Sequence, residues 1–403
     1  MMRSIHYFGK DYPIDSYGDS ECITFNNTRF TIIENKEELL KRYDDDELEH
    51  LCINYPIDFN NNFLIDFNFK NCLFIRDIDI KEQSLSSYLF EGCQFEGTLR
   101  FIDCKFEASI FRGSVFKEIE IYFKENYDNE IFFVKCHFEN KIKIRNFEWH
   151  EAIDGLLYEE SQRNKAKLKT LELVGCTAGN EAYLRISYLK IDDFKIKNLR
   201  LPQHAELDIG DCHFKRMQLS NFRNVGQFKL YKINIFSNEK GSLFQIDNTS
   251  IGRTELQSVN LKSFDTVKMF DNIFTELNYT NIQWMNVIEV EQHNEKFDKE
   301  SARKTSIHTL VYQAALDKAE KQRDAYRTLK NVALSNNDQV QASYFHAKEM
   351  ENYQGSADSG DGDKEYRLSD KATLWLEKYT NRFDMKSGWS LILTLIFLYW
   401  ALV

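Results

Sequence analysis

The chain has 403 residues, with 52 Lys and Arg against 63 Asp and Glu, a net charge of −11. That balance argues against a protein held to nucleic acid by a broad basic surface. An aromatic content of 14% excludes a disordered chain, and only 3 prolines exclude collagen-like and proline-rich classes. Eight cysteines without a CxxC pair are too sparse for a disulfide scaffold. The N-terminal stretch lacks the apolar core of a secretory signal, so reduced thiols in a cytosolic setting are expected.

Residues 1–58 are read first, as an N-terminal cap. Residues 36–50 (KEELLKRYDDDELEH) have helical composition and no β-branched residue. They are expected to form a helix that covers the open end of a solenoid beginning near residue 59. The acidic run Asp44 to Glu47 is read as a solvated helix face.

A five-residue rhythm then occupies residues 59–285. Phe101, Phe106, Phe111 and Phe116 are spaced by five, and Ile121 continues the series. The same step links Phe69 to Phe74, Phe90 to Phe95, and Phe133 to Phe138, and returns at Ile209, Phe214 and Leu219 and at Ile251, Leu256 and Leu261. Period five fits neither helix nor strand. It fits a chain that turns a corner after each short extended stretch and sends one large apolar side chain inward per side. A small residue stands two positions before the large one: Cys72, Cys93, Cys104, Ser109, Ser114, Cys136 and Cys212. Residues i−2 and i of an extended stretch point the same way, so these thiols belong beside Phe in a narrow interior.

This pattern resembles the pentapeptide-repeat family, most specifically from Phe90 to Ile121. The resemblance implies a mainly β fold: a right-handed quadrilateral β-helix, a solenoid with about twenty residues per coil. Phe95 to Phe101 is six residues, so one side carries an insertion. Residues 148–170 break the rhythm and are expected to form a mostly helical insert, with strand returning at Leu171 to Val174.

From 286 to 384 the composition becomes helical. Ile307, Leu310, Val311 and Ala314 stand at helical spacing within 295–334, a second helix is expected at 338–353, and a third at about 368–380. Residues 355–363 (GSADSGDGD) read as a flexible polar linker. This half resembles the C-terminal region of membrane-bound pentapeptide-repeat proteins, in which a helical hairpin precedes transmembrane helices. The matching residues are Tyr326, Arg327, Leu329 and Lys330, then Ala342, Phe345, Glu349 and Met350. Phe383-Asp384 stands where such proteins often carry Phe-Gly.

Residues 385–403 are expected to enter a membrane. Trp389 to Val403 is uncharged over 15 residues and holds Leu391, Ile392, Leu393, Leu395, Ile396, Phe397, Leu398, Tyr399 and Trp400. A bilayer needs about 20 residues, so the segment is either continued or half inserted. A buried core helix is the alternative.

No catalytic constellation, metal site or cofactor is expected. Cys136-His137 and Cys212-His213 point their side chains to opposite sides and cannot converge on a zinc. Gly355 to Gly360 has the first spacing of a phosphate loop, but Asp361 stands where Lys is required. Lys190, Lys195, Lys197, Arg200, Lys215 and Arg216, interleaved with Tyr183, Tyr188 and Phe194, form a basic and aromatic stretch. It is read either as a patch for a small anionic or oligonucleotide ligand or as ordinary outward strand residues. The combined expectation is a non-enzymatic protein of the inner membrane. Its cytoplasmic β-helix senses a ligand or partner and forms a homo-oligomer, a tetramer first, that controls an ion-channel-like segment, as in a stress or phage-defence effector. The alternatives are a passive membrane-anchored scaffold and a DNA-mimic topoisomerase inhibitor.

Overall fold

The computed structural model describes residues 4–7, 10–17, 20–26, 28–41, 47–55, 57, 68–86, 90–124, 128–146, 166–235, 241–285, 288 and 307–358. The chain divides into two compact units, one centred on a β-solenoid whose last strand is Ile273–Thr280 and one on the helices after it. The solenoid has about eight stacked coils joined by parallel pairing. One wall carries Gln94–Ile102, Val115–Phe123, His137–Asn146, Tyr183–Ser187, Glu206–Gly210, Arg223–Tyr231, Ser250–Gln257 and Ile273–Thr280. A second wall carries Ser109–Arg112, Asn129–Val134, Ala166–Val174, Leu189–Lys197, His213–Ser220, Leu243–Asp247 and Thr266–Phe270.

The five-residue rhythm becomes a column of rings. Phe101, Phe106, Phe116 and Ile121 are fully buried, and Phe111 nearly so. Phe74, Phe95 and Phe116 are register partners, with ring centroids 4.8 and 5.1 Å apart and nearly parallel planes. That spacing matches the distance between neighbouring strands, so each phenyl ring stacks on its counterpart one coil away.

The same register sets the coil length at 21 residues between Phe74 and Phe95, and at 23 between Phe194 and Met217. Both exceed the expected twenty. The surplus lies where two short sides fuse into one long strand. In Gln94–Ile102 the register slips between Phe95 and Thr98, at the six-residue step seen in the sequence. Gly97 sits at that slip, where a Cβ would stand 2.4 Å from the Arg76 carbonyl carbon. Later coils mix long strands such as His137–Asn146, Ala166–Val174 and Leu189–Lys197 with short separate ones such as Thr177–Ala178 and Arg200–Leu201.

The corners explain how a turn-rich chain manages with few prolines and glycines. The residue just before each inward small residue is left-handed: Asn71 before Cys72, Asp103 before Cys104, Ala108 before Ser109, Lys135 before Cys136 and Asp211 before Cys212. Asn and Asp tolerate this conformation best among residues with a side chain. The corner amides are not wasted: Asn71 N–H donates to the Glu91 carbonyl at 2.7 Å and Gly92 N–H to that of Arg112 at 2.8 Å, one coil on.

All eight cysteines are buried and none forms a disulfide. Their thiols tie coil to coil. The Sγ of Cys72, Cys93 and Cys136 each donates to a carbonyl of the preceding coil, those of Leu48, Phe69 and Phe111, at 3.2 Å. Cys176, after left-handed Gly175, makes the same bond to Phe133 and joins the series although Ala178 stands in its Phe position. Burial pushes the Cys104 thiol up to about 11. Native protein is therefore expected to react slowly with iodoacetamide at Cys72, Cys93, Cys104, Cys136 and Cys212, and at the unfolded-chain rate in denaturant. Fast native labelling at any of the five, read by mass spectrometry, would contradict this register.

Three expectations change. Among the described residues of 36–50, Lys36–Lys41 is helical and Glu47–Glu49 is a strand. Leu48 turns inward there, and the strand pairs with Asn68–Lys70 one coil on. Parallel stacking reaches back further still, to Thr31–Ile33 against Leu51–Ile53, while residues 4–33 add antiparallel hairpins. Strand resumes at Ala166 rather than Leu171, because Ala166 and Leu168 alternate inward with Lys167 and Lys169. The rest of the expected helical insert lies outside the described residues.

The helical unit is an antiparallel hairpin, Ile307–Ser335 and Gln339–Asp358. Asn337 turns the corner with positive φ, and the Asp338 carboxylate caps the second helix by accepting from Gln341 N–H at 3.0 Å. The second helix continues to Asp358, so residues 355–358 are helix and not linker. The remaining linker and the third helix lie outside the described residues.

Candidate functional site

The outward faces of the walls are ladders of charge. Arg216 pairs with Asp193, its direct cross-strand neighbour, with both guanidinium and carboxylate engaged twice. Lys195 Nζ donates to Glu172 at 2.7 Å, and Lys167 lies 3.1 Å from Asp192. The expected basic patch is thereby split between two walls, and two of its six residues, Lys195 and Arg216, are ion-paired. Lys190, Lys195, Lys197, Lys215 and Arg216 lie on the second wall, whereas Arg200 pairs with Thr177 and Arg223 on the first. Lys197 and Arg200 are exposed.

The densest cluster of buried polar groups lies elsewhere, on the outer face of the first wall. Here Glu120 is held by Lys141 at 2.7 Å and Arg100 at 3.0 Å, with its side chain only 9% exposed. Tyr183 OH donates to Asp208 Oδ2 at 3.1 Å. Arg185 Nη2 donates to the Tyr231 hydroxyl at 3.2 Å, and its Nε lies 3.7 Å from Asp208. The Tyr231 ring fills the outward space over Gly210, where a Cβ would meet it at 1.7 Å. Arg145 lies over the Tyr122 ring, 5.1 Å from its centroid. Burial pushes the Tyr231 hydroxyl up to about 12, so it stays neutral near physiological pH, and burial likewise raises the Asp208 carboxyl.

Sequence reading missed this cluster as a site. Its members come from strands at 98–102, 118–122, 141–145, 183–187, 206–210 and 227–231, brought side by side by register. The signal present in the sequence was the alternation Lys141, Lys143, Arg145: three cations on one strand face, each separated by a buried Ile.

Among the described residues no group of His, Cys, Asp or Glu is placed to hold a metal ion. The His137 ring meets Thr177 at 2.8 Å and Glu139 at 2.9 Å, while Cys136 donates to the Phe111 carbonyl, so the two side chains diverge. No described helix is long and apolar enough to cross a membrane, and Trp389 to Trp400 lie outside the described residues.

In the helical unit the residues that carried the resemblance meet one another. Arg327 Nε and Lys330 Nζ, near the end of the first helix, donate to the two oxygens of Glu349 on the second, at 2.7 and 2.6 Å. Burial alone would raise the Glu349 carboxyl, but the Lys330 and Arg327 bonds outweigh it and hold it below the usual range. Tyr326, Leu329, Ala342 and Phe345 are buried, and the Tyr326 hydroxyl accepts from the Ile288 amide at 3.0 Å.

These features define a β-solenoid with ion-paired outer ladders and a clasped helical hairpin. No family model, curated protein or solved structure matches the chain.

Proposed function

We propose that this is a non-enzymatic recognition protein tethered to the inner membrane by its C-terminal segment. Its cytoplasmic solenoid senses a ligand or partner, and a homo-oligomer, tetrameric first, passes that event to an ion-channel-like membrane segment. We read the solenoid as a right-handed, four-sided pentapeptide-repeat β-helix of the membrane-associated kind. The observation that supports this reading best is the clasp. Arg327, Lys330 and Glu349 are the charged residues of the resemblance, and they lock two helices into one rigid hairpin. A hairpin locked by a half-buried ion-paired triad suits the transmission of a movement to a following segment. Stress or phage defence is the setting such an effector fits.

A DNA mimic would need a nearly continuous negative face. The outer ladder Asp79, Arg100, Glu120, Lys143 alternates in sign from coil to coil, which weighs against that alternative. A pore formed by one or two helices per chain closes only around an axis of several copies. Light scattering on detergent-solubilised protein is therefore expected to give a tetramer. A monomer at micromolar concentration would overturn the gating reading and favour a passive membrane-anchored scaffold.

A further inference from the structure

The outer face of the first wall carries a like-charge contact that the fold offsets only through long ion pairs, Arg185 Nε to Asp208 at 3.7 Å and Lys143 to Glu120 at 3.9 Å. Lys143 and Arg185 are direct cross-strand neighbours, and so are Arg145 and Ser187 beside them. Like charges facing each other across strands destabilise a sheet. The nearby carboxylates are occupied: Glu120 binds Arg100 and Lys141 and lies 3.9 Å from Lys143, and Asp208 accepts from Tyr183. Among the described residues Arg145 has no carboxylate within ion-pair distance, whereas most cations of these ladders do.

Several buried polar atoms here have no hydrogen-bond partner: Arg145 Nε, Arg185 Nε, Ser187 Oγ and Asp208 Oδ1. Ser187 is fully buried and Asp208 nearly so. Native proteins leave few such atoms, and each of them calls for a partner that the chain does not supply. Three of the four donate, two of them from guanidinium groups, and the fourth accepts. Guanidinium donors with a hydroxyl suit the oxygens of a phosphoryl group. An unfilled carboxylate oxygen beside them suits a ligand hydroxyl.

We infer that Lys143, Arg145, Arg185 and Ser187 form a binding site for a phosphate ester, with Asp208 receiving a hydroxyl of the same ligand. Tyr122 supports Arg145 from one side, and Tyr231, seated over Gly210, flanks the other. This inference rests on the solenoid being a recognition surface, and it names the ligand class and the wall that binds it. The site lies on the first wall, away from Lys190, Lys195 and Arg216.

Calorimetric titration of the full chain in detergent with inorganic phosphate, adenosine monophosphate and a four-nucleotide RNA tests it. Saturable binding of at least one ester is expected. It should weaken about tenfold or more in Lys143→Gln and in Arg145→Gln, as for loss of a charge-assisted bond. On the second wall, Arg216→Gln should bind as the parent does. Adenosine monophosphate preferred to the RNA would assign the site to a free mononucleotide, and the reverse to an oligonucleotide; either supports the site. Absence of saturable binding by all three, or an equal loss in Arg216→Gln, would overturn it. Inorganic phosphate bound as tightly as the esters would overturn the role given to Asp208. Membrane association measured on the same preparation separates the two readings: no ester binding with retained association removes the site and leaves the tether.

Discussion

Phe106→Ala is expected to lower the free energy of unfolding by about 3–5 kcal/mol, the range for removing a large ring from a close-packed core. Phe106 is 0% exposed and meets Phe101 edge-on at 5.2 Å and Phe123 at 6.0 Å. Its backbone amide donates to Asn129 Oδ1, one coil on, at 2.7 Å, so the backbone around the missing ring stays pinned and cannot collapse into the void. Each coil of a solenoid contacts only its neighbours, so the loss should concentrate in the coils on either side. Urea unfolding followed by circular dichroism measures it. A change below about 1 kcal/mol would mean that this side of the coil is not core.

The second large effect is a dependence on pH centred on Glu120. Burial alone would raise its carboxyl, but Lys141 and Arg100 outweigh that and lower it to about 2. A carboxyl whose folded value lies below its unfolded value contributes stability that is fully present above the unfolded value, 4.5, and is lost as pH falls through about 2. The loss should therefore appear between these limits and amount to roughly 1–3 kcal/mol. Glu120→Gln should remove this step and leave Arg100 to Asp79 alone, 2.6 Å away. Unfolding midpoints of parent and variant that fall equally between pH 4.5 and pH 2 would contradict the assignment.

The core was legible in the sequence because it repeats locally. Phe106 and Phe111 need only their neighbours five residues away to declare a narrow interior, and Cys104 and Ser109 mark its corners. The corner conformation itself was not legible. Positive φ falls on residues as different as Asn71, Lys135 and Tyr188, because stacking against the next coil imposes it and residue type only eases it. The N-terminal antiparallel hairpins carry no five-residue signal. The outer faces were harder still. Lys195 and Arg216 look like free cations in sequence, yet Glu172 and Asp193, one coil away, neutralise them. Conversely Arg145 and Ser187 are remote in sequence and become neighbours only because the chain, after Ala166–Val174 on the second wall, returns to the first wall at Tyr183–Ser187. Charge cancels or accumulates according to a register that composition does not carry.

The most direct test of the tethered reading is flotation with liposomes of inner-membrane lipids. The chain of residues 1–403 and a version ending at residue 384 are mixed with vesicles, extracted with carbonate and spun through a density gradient. Residues 385–403 hold the uncharged run from Trp389 to Val403. The full chain is expected to rise with the lipid and the shortened chain to remain at the bottom as folded, soluble protein. A full chain that stays at the bottom without detergent, or a shortened chain that floats equally, would contradict the membrane tether and the gated function built on it.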